Sequence, residues 1–240
     1  MMAATDRVVL DPLPFQLELA SLKQTLHVRP GGQAEQELHR LVDIAQSIAQ
    51  PKAIYKLAFI DAKEDQAVLL DGIRFTSRVL RVNLDTAQRV FAYVATSGRE
   101  LEAWADAQED SLARFWADSI NQAVLGAALK SFREHLTAQF AVNQLSGMNP
   151  GSLADWPLRE QRPLFSLLGD VQAAIGVSLT PSLLMTPTKS VSGILFPSEE
   201  TFASCQLCPR EACPNRRAAY DPALFGRKYA KAGNQKREAG

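Results

Sequence analysis

Residues 89–98, near the middle of the chain, decide the fold. Their sequence is Arg-Val-Phe-Ala-Tyr-Val-Ala-Thr-Ser-Gly. The first seven are rich in β-branched and aromatic side chains, a pattern typical of a buried strand. The three small residues that follow end the strand, and Ser97 is a candidate N-cap for a helix that runs to about Gln108.

A second, much longer helix is predicted directly afterwards. Asp110 or Ser111 begins it as the N-cap, and it extends to about Phe140. At about 1.5 Å rise per residue it would be about 45 Å long, so we expect it to cross the whole domain. Its apolar stripe consists of Phe115, Ile120, Val124, Ala127, Ala128, Phe132 and Leu136.

The flanking sequence supplies more strands than helices. Upstream, the pattern predicts a helix over 34–50 and strands over 53–60, 67–70 and 73–75, the last two joined by the hairpin signal Asp71-Gly72. Downstream it predicts a loop over 143–157, helices over 158–168 and 170–175, an irregular stretch over 178–188 and a strand over 190–196. Because the strands do not alternate regularly with helices, the predicted fold class is α+β with an antiparallel sheet.

Composition excludes several classes of protein. The 240 residues carry 26 Lys and Arg against 26 Asp and Glu, which argues against a general nucleic-acid binder. No apolar stretch approaches the roughly 18 to 20 residues that span a membrane. The first residues lack a basic region followed by an apolar core, so no signal peptide is predicted and we expect a cytoplasmic protein.

Three cysteines, Cys205, Cys208 and Cys213, lie within nine residues. The first two have the spacing that lets two thiolates bind one centre, and the third precedes a proline, as at the end of some iron–sulfur loops. An iron–sulfur cluster, a zinc ion with one further ligand, and three reduced thiols without metal remain the alternatives. Arginines 210, 216 and 217 would lower the pKa of these thiols.

The chain divides into three predicted parts. Residues 1–203 form the folded domain, 204–214 the cysteine segment and 215–240 a basic tail with seven Lys or Arg against two Asp or Glu. Such a composition is typical of a flexible tail, and an arm that contacts a polyanion is the alternative.

Two further segments are candidate binding loops. Residues 146–153, Ser-Gly-Met-Asn-Pro-Gly-Ser-Leu, suit a type II turn with Pro150 and Gly151 at its centre. That turn would expose backbone groups to a polar ligand, although a plain loop is equally compatible with these residues. Residues 179–193, Leu-Thr-Pro-Ser-Leu-Leu-Met-Thr-Pro-Thr-Lys-Ser-Val-Ser-Gly, form a loop that enters a strand.

The second of these segments resembles a known family. Its pattern Leu-Thr-x-Ser-x-x-Met-x-Pro-x-x-Ser-Val-Ser-Gly, followed by Phe196, is similar to the reactivation domain of cobalamin-dependent methionine synthase. Asn149-Pro150-Gly151 lies where that family has an Arg-Pro-x-Pro-Gly-Tyr-Pro loop. The resemblance is clear over about 145–196, and the upstream strand and long helix are compatible with it.

The resemblance implies a fold, a role and a site. The fold would be α+β with a bent or twisted antiparallel sheet and one long central helix. The protein would bind S-adenosylmethionine, dock over a corrinoid (cobalamin-carrying) protein or methyltransferase, and support reductive methylation of cob(II)alamin. Its cofactor-binding residues would be Met148, Asn149, Pro150, Gly151, Ser152, Lys189, Ser190, Val191, Ser192 and Gly193.

The sequence departs from the family pattern in two places. The family's loop arginine falls at Gly147 and its aromatic at Ser152, so Arg159, Arg162 or Lys189 would have to supply the positive charge. The cysteine segment is an addition, which under this hypothesis would deliver an electron to the corrinoid from a stand-alone activation-domain-like protein. A non-enzymatic metal-binding or scaffold protein on the same fold is the alternative.

Overall fold

The computed structural model describes residues 7–199, 201–210, 212–213 and 216–230. Its strands are β1 Val8–Leu10, β2 Lys52–Lys63, β3 Ala67–Leu70, β4 Ile73–Thr76, β5 Arg89–Thr96, β6 Leu145–Met148, β7 Ser178–Leu179, β8 Met185–Thr186 and β9 Ser190–Pro197. Its helices are α1 Leu19–Thr25, α2 Gln33–Ile48, α3 Arg78–Asn83, α4 Arg99–Asp106, α5 Ser111–Phe140, α6 Gln161–Leu168 and α7 Val171–Ile175.

The main sheet is antiparallel and has β5 near its centre. Its order is β4-β3-β2-β5-β9-β6, with β1 also paired to β2. Successive side chains of a strand point to opposite faces, and β5 buries both sets. Its even-numbered residues 90, 92 and 94 face a core with α3, α6 and α7, and its odd-numbered residues 91, 93 and 95 face α5. The predicted α+β fold is confirmed.

The long helix α5 occupies residues 111–140, as predicted, and the Asp110 side chain accepts a hydrogen bond from the Ala113 N–H at 2.8 Å. It crosses the sheet with Phe132 fully buried, whereas Phe115 is 58% exposed, so Phe115 does not belong to the stripe. At about 100° per residue Phe115 lies about 140° away from Ile120. Trp116, only about 40° away, is the buried residue instead.

Several local predictions differ from the structure. Ser97 does not cap α4, because the N-cap of this helix is Gly98. The Ser97 hydroxyl donates instead to Oδ1 of Asn121 in α5, in a buried contact of 2.5 Å. The region 143–157 contains strand β6, and 178–188 contains the β7–β8 hairpin. These three strands are too short for an alternating pattern to be recognised in the sequence.

Part of the predicted flexible tail is packed against the domain. Tyr229 is 1% exposed, its hydroxyl donates to Asn83 Oδ1 at 2.8 Å, and its ring lies 6.2 Å from that of Phe202. Tyr229 is therefore packed in the core, although the sequence predicts a flexible tail over 215–240, and 231–240 lie outside the described residues. Within the described part of the chain, no helix combines the length and apolar character needed to cross a membrane.

Candidate functional site

The two candidate loops lie side by side at one end of the β6–β9 pair. Met148 is opposite Ile194 in the antiparallel register, so the chain leaving β6 passes the beginning of β9. The Asn149 side-chain amide donates to the Ser192 carbonyl at 2.7 Å and to the Tyr93 hydroxyl at 3.2 Å. The structure thus joins both predicted segments to the central strand β5.

The loop after β6 has the turn that the sequence predicts. The Ser152 N–H donates to the Asn149 carbonyl at 3.1 Å, and Gly151 has a φ of 84°. A positive φ at the third position is the signature of a type II turn. Pro150, the second residue of the turn, is buried, and the Ser152 hydroxyl also donates to the Asn149 carbonyl, at 2.6 Å.

Gly193 permits the close approach of the loop to β9. A Cβ at this position would lie 2.5 Å from the Met148 carbonyl oxygen and 2.6 Å from Asn149 Nδ2. Both distances are below van der Waals contact, so a side chain here would displace the loop. The backbone geometry of this site therefore explains why the family motif has a glycine at position 193.

The segment before β9 is fixed to α4 and α5. The Thr188 N–H donates to Glu102 Oε1 at 2.6 Å, and the Lys189 ammonium lies 3.0 Å from the Asp118 carboxylate. The Lys189 carbonyl accepts from the Ser97 N–H at 3.1 Å. Lys189, predicted to contact a ligand, thus has a carboxylate partner that anchors it to the long helix.

Three other predicted site residues lie in β6 and β9 and contact the protein itself. Met148 is fully buried in the core on the α6 face, and Val191 packs against the core on the α5 face. The Ser190 hydroxyl donates to the Pro187 carbonyl at 2.6 Å, and its oxygen lies 3.0 Å from Thr96 Oγ1. These three residues shape the strand pair rather than present polar groups to solvent.

Arg133 of α5 is a site residue that the sequence analysis missed. Its Nη2 lies 3.1 Å from the position of a Cβ on Gly147, and its Nη1 donates to the Leu145 carbonyl at 3.1 Å. Arg133 directly follows Phe132, and this position beside the apolar stripe is the sequence feature that could have indicated its partial burial. Burial lowers the pKa of Arg133, and the charge of Arg217 lowers it further.

Tyr93 completes this group of side chains. Burial raises the pKa of its hydroxyl, while the charge of Arg133, the Asn149 hydrogen bond and the charge of Arg217 act in the opposite direction. The hydroxyl is therefore protonated at neutral pH, and it lies within the field of both guanidinium groups.

The cysteine segment is organised around the Arg216 guanidinium. This group donates to the carbonyls of Cys205 at 3.2 Å and Cys208 at 3.1 Å, and also to Arg210 and Ala218. The Cys205, Cys208 and Cys213 thiols are free and partly exposed. Among the described residues, no group of three or more His, Cys, Asp or Glu side chains is placed to hold a metal ion.

The Cys205 thiol accepts hydrogen bonds from backbone N–H groups. Burial raises the pKa of this thiol. Hydrogen bonds from the backbone N–H groups of Arg217 and Ala218, together with the Arg217 charge, lower the pKa by more, so the pKa is below its ordinary value. The Arg217 N–H lies 3.4 Å from the Cys205 sulfur.

The cysteine segment adjoins the candidate loop. Ala203 forms a parallel bridge with Gly147, and the Phe202 N–H donates to the Ser146 hydroxyl at 2.8 Å. The Ser152 hydroxyl oxygen also lies 3.3 Å from that of Ser204. The chain leading to the cysteines therefore covers the outer edge of β6.

The fold is similar to that of a solved structure, the crystal structure of the MetH reactivation domain bound to AdoHcy. The alignment covers 84% of this chain and 82% of that chain, with a TM-score of 0.56 and 16% sequence identity. The molecule therefore has the fold of a reactivation domain.

The sequence itself matches a family profile described as the activation domain of vitamin B12 dependent methionine synthase, over residues 87–206. The matched region is half of the 240-residue chain and contains β5, the long helix and both candidate loops. The chain belongs to this family of activation domains. No curated protein matches it.

Proposed function

We propose that this chain supports reductive reactivation of a corrinoid carried by a partner, with S-adenosylmethionine as the methyl donor. Membership in the activation-domain family supports the class of function. The observation that carries the proposal is the junction at Asn149, which brings the loop after β6, the start of β9 and Tyr93 into one group.

The proposed ligand follows from the fold and the polar groups at this junction. The similar MetH domain is bound to AdoHcy, the compound that remains when S-adenosylmethionine gives up its methyl group. In this chain the Tyr93 hydroxyl, the Asn149 amide and the backbone beside Gly193 bring polar groups together within a small area. A polar ligand that is held here would lie at the sheet edge, where a corrinoid-carrying partner could meet it.

Calorimetric titration with S-adenosylmethionine tests the ligand. We expect saturable binding to the full chain, weakened in Asn149→Ala because the amide no longer links β9 to Tyr93. Asn143→Ala is the matched control, since Asn143 is exposed and precedes β6. Absence of binding to the unaltered protein contradicts the choice of S-adenosylmethionine.

A second assay tests the reaction. The protein is mixed with a cob(II)alamin-loaded corrinoid protein, a one-electron reductant and S-adenosylmethionine, and the absorbance spectrum is followed. We expect conversion to methylcobalamin that depends on the chain and is slowed in Asn149→Ala. Equal conversion with and without the chain would refute the proposed function.

The metal centre at Cys205, Cys208 and Cys213 stays a prediction of the sequence. Their spacing and their position beside the candidate loop favour an iron–sulfur cluster or zinc, whereas Arg216 organises the described segment without one. Metal analysis of protein purified without oxygen separates the alternatives. Bound iron, with a visible absorbance that is lost in Cys205→Ser, indicates a cluster. One bound zinc ion indicates a structural site, and metal-free protein indicates three reduced thiols.

Bound metal without any effect on a corrinoid would favour the alternative, a non-enzymatic metal-binding or scaffold protein.

A further inference from the structure

We propose that Cys205 and Cys208 form a reversible intramolecular disulfide, so that this pair is a modification site for thiol–disulfide exchange with a small disulfide such as glutathione disulfide. The inference goes beyond the proposed function, because it concerns the two thiols and needs neither S-adenosylmethionine nor a corrinoid. It also differs from both a metal centre and three thiols that stay reduced.

The first support is the backbone turn that separates the two cysteines. Residues Ser204–Leu207 form a short 3₁₀ helix, and the Cys208 N–H donates to the Cys205 carbonyl at 3.2 Å. In this type of helix residues three apart lie on the same side, with Cα atoms about 6 Å from each other. A disulfide joins Cα atoms that are about 4.4 to 6.8 Å apart. The backbone of the reduced pair is therefore already in the range that a disulfide requires.

The second support is the Arg216 guanidinium, which holds this turn in place. Its Nη1 donates to the Cys205 carbonyl at 3.2 Å, and its Nη2 donates to the Cys208 carbonyl at 3.1 Å. The carbonyls of both cysteines are thus fixed against one rigid, planar group. Because the turn is ordered before the disulfide forms, closing the bond costs less conformational entropy than it would in a flexible chain.

The third support is the separate position of the third cysteine. The Cys213 carbonyl accepts from the Arg216 N–H at 3.1 Å, in a turn of its own. Among the described residues, the three cysteines are not grouped as ligands of one metal ion. All three thiols are partly exposed, so a small disulfide can reach them. The described geometry therefore favours a pair of thiols over a set of three.

The exchange balances without any further reagent. One thiolate of the pair attacks a sulfur of glutathione disulfide, which forms a mixed disulfide and releases one glutathione. The second thiolate then attacks the protein sulfur of the mixed disulfide, which forms the Cys205–Cys208 bond and releases the second glutathione. Two electrons pass from the cysteine pair to glutathione disulfide, and the two protons of the cysteines end on the released glutathione thiols. Excess glutathione reverses both steps.

The test uses the full chain, purified without oxygen and equilibrated in buffers with increasing ratios of glutathione disulfide to glutathione. Free thiols are then alkylated, and the protein is digested with trypsin, which cleaves after Lys and Arg. Cys205 and Cys208 lie on one tryptic peptide, residues 190–210, and Cys213 lies on the next, residues 211–216. Mass spectrometry of these peptides therefore identifies which thiols have paired.

At oxidising ratios we expect the 190–210 peptide to lack two hydrogen atoms and to carry no alkyl group, while the 211–216 peptide stays alkylated. Excess glutathione should restore alkylation of both cysteines in the first peptide. Cys213→Ser is the matched control and should oxidise at the same ratio as the unaltered chain. Cys205→Ser and Cys208→Ser should form only mixed disulfides with glutathione.

The variant Arg216→Met tests the role of the guanidinium. It should lower the equilibrium constant for disulfide formation about 10-fold, roughly the net effect of one lost hydrogen bond, because the turn is less ordered. Arg159→Met is the control, since Arg159 is exposed, and should leave the constant unchanged. Thermal unfolding verifies that both variants are folded. An unchanged constant in Arg216→Met would overturn the role given to this residue.

Three other results would overturn the disulfide itself. A bond that joins the two tryptic peptides would make Cys213 a partner. Full alkylation of the 190–210 peptide at the most oxidising ratio would show that no pair forms. Iron or zinc that stays bound in every buffer and protects the thiols would show that the cysteines are metal ligands. Each of these results leaves the binding of S-adenosylmethionine and the corrinoid assay to be decided separately.

Discussion

At the scale of single residues, two glycines shape the candidate site, because neither has a side chain that would keep its neighbours away. Gly193 lets the Asn149 amide lie against β9, and Gly147 lets the Leu195 side chain and the Arg133 guanidinium approach the backbone of β6. Both glycines lie within strands, where a missing side chain often marks a close approach of backbone or ligand. At both positions the missing side chain allows close packing around the candidate loop.

Gly193→Ala should destabilise the protein and weaken ligand binding. Its Cβ would collide with the Met148 carbonyl oxygen and the Asn149 amide, and such overpacking typically costs about 1 to 3 kcal/mol. Gly126→Ala is the control. A Cβ there has no neighbour within 4 Å, and alanine in the middle of a helix gains up to about 1 kcal/mol over glycine. Urea unfolding measures both, and equal effects would contradict this account.

The Glu35 carboxylate should make stability depend on pH. Its hydrogen bonds with the Lys23 ammonium and the Gly31 N–H hold its pKa below the ordinary value of 4.5. A lowered folded-state pKa means that the stabilisation is present above the unfolded pKa and is lost as the pH falls through the folded pKa. Glu35→Gln should therefore lower the Tm at pH 7, and its difference from the unaltered protein should shrink below about pH 4.5.

Glu134→Gln is the control for this experiment, because Glu134 is exposed on α5 and makes no described ion pair. A Tm difference for Glu35→Gln that stays constant from pH 7 to pH 3 would rule out the ionic contribution.

At the scale of elements, α5 holds the molecule together. Its buried residues recur every fourth position from Ile120 to Leu136. The N-terminal half packs against α2 and α4, and the C-terminal half packs against β2, β5 and β9. In its N-terminal half, Asp118 pairs with Lys189 of the loop that precedes β9, and Asn121 accepts a hydrogen bond from the Ser97 hydroxyl. The same helix therefore builds the core and positions the candidate site.

Two phenylalanines of α5 provide a matched pair for testing this role. Phe132→Ala should cost about 3 to 5 kcal/mol, because Phe132 is fully buried against the rings of Tyr55 and Tyr93. Phe115→Ala should stay within about 0.5 kcal/mol, since most of the Phe115 ring is exposed. Denaturant unfolding measures both, and a large loss at Phe115 would mean that a partner or a second copy covers it.

At the scale of the whole molecule, the C-terminal segment belongs to the domain. It bridges to β6 at Ala203, folds around the Arg216 guanidinium and ends with Tyr229 in the core beside α3. The cysteines are thereby held between two anchored points. The position of the thiols beside the candidate loop is a consequence of this packing.

Tyr229→Ala should therefore destabilise the whole domain. A buried aromatic residue typically costs about 3 to 5 kcal/mol on truncation, and Tyr229→Phe should cost about 1 kcal/mol through its lost hydrogen bond with Asn83. Tyr220→Ala is the control, because Tyr220 is 41% exposed. Equal unfolding midpoints for Tyr229→Ala and Tyr220→Ala would show that the segment contributes no stability.

Sequence patterns predicted the elements with strong periodicity and missed those without it. The strand at 89–96, the helix at 111–140 and the Asp71-Gly72 hairpin are close to prediction. Strand β6 was missed because Ser146 and Gly147 interrupt any alternation of apolar and polar residues. The contact of Arg133 with Gly147 and the ion pair of Lys189 with Asp118 were missed because each joins residues that are distant in the sequence.

The sequence by itself determined the α+β class, the long helix and the two loops, because propensity and periodicity act over a few neighbouring residues. It also determined the family resemblance, through the motif around Ser190–Gly193. Only the tertiary structure decided which of these residues meet. The pairing of β6 with β9, the approach of Arg133 to Gly147 and the return of the C-terminal segment to the core all join residues far apart in the chain. Such contacts depend on the packing of the whole domain, and no local pattern encodes them.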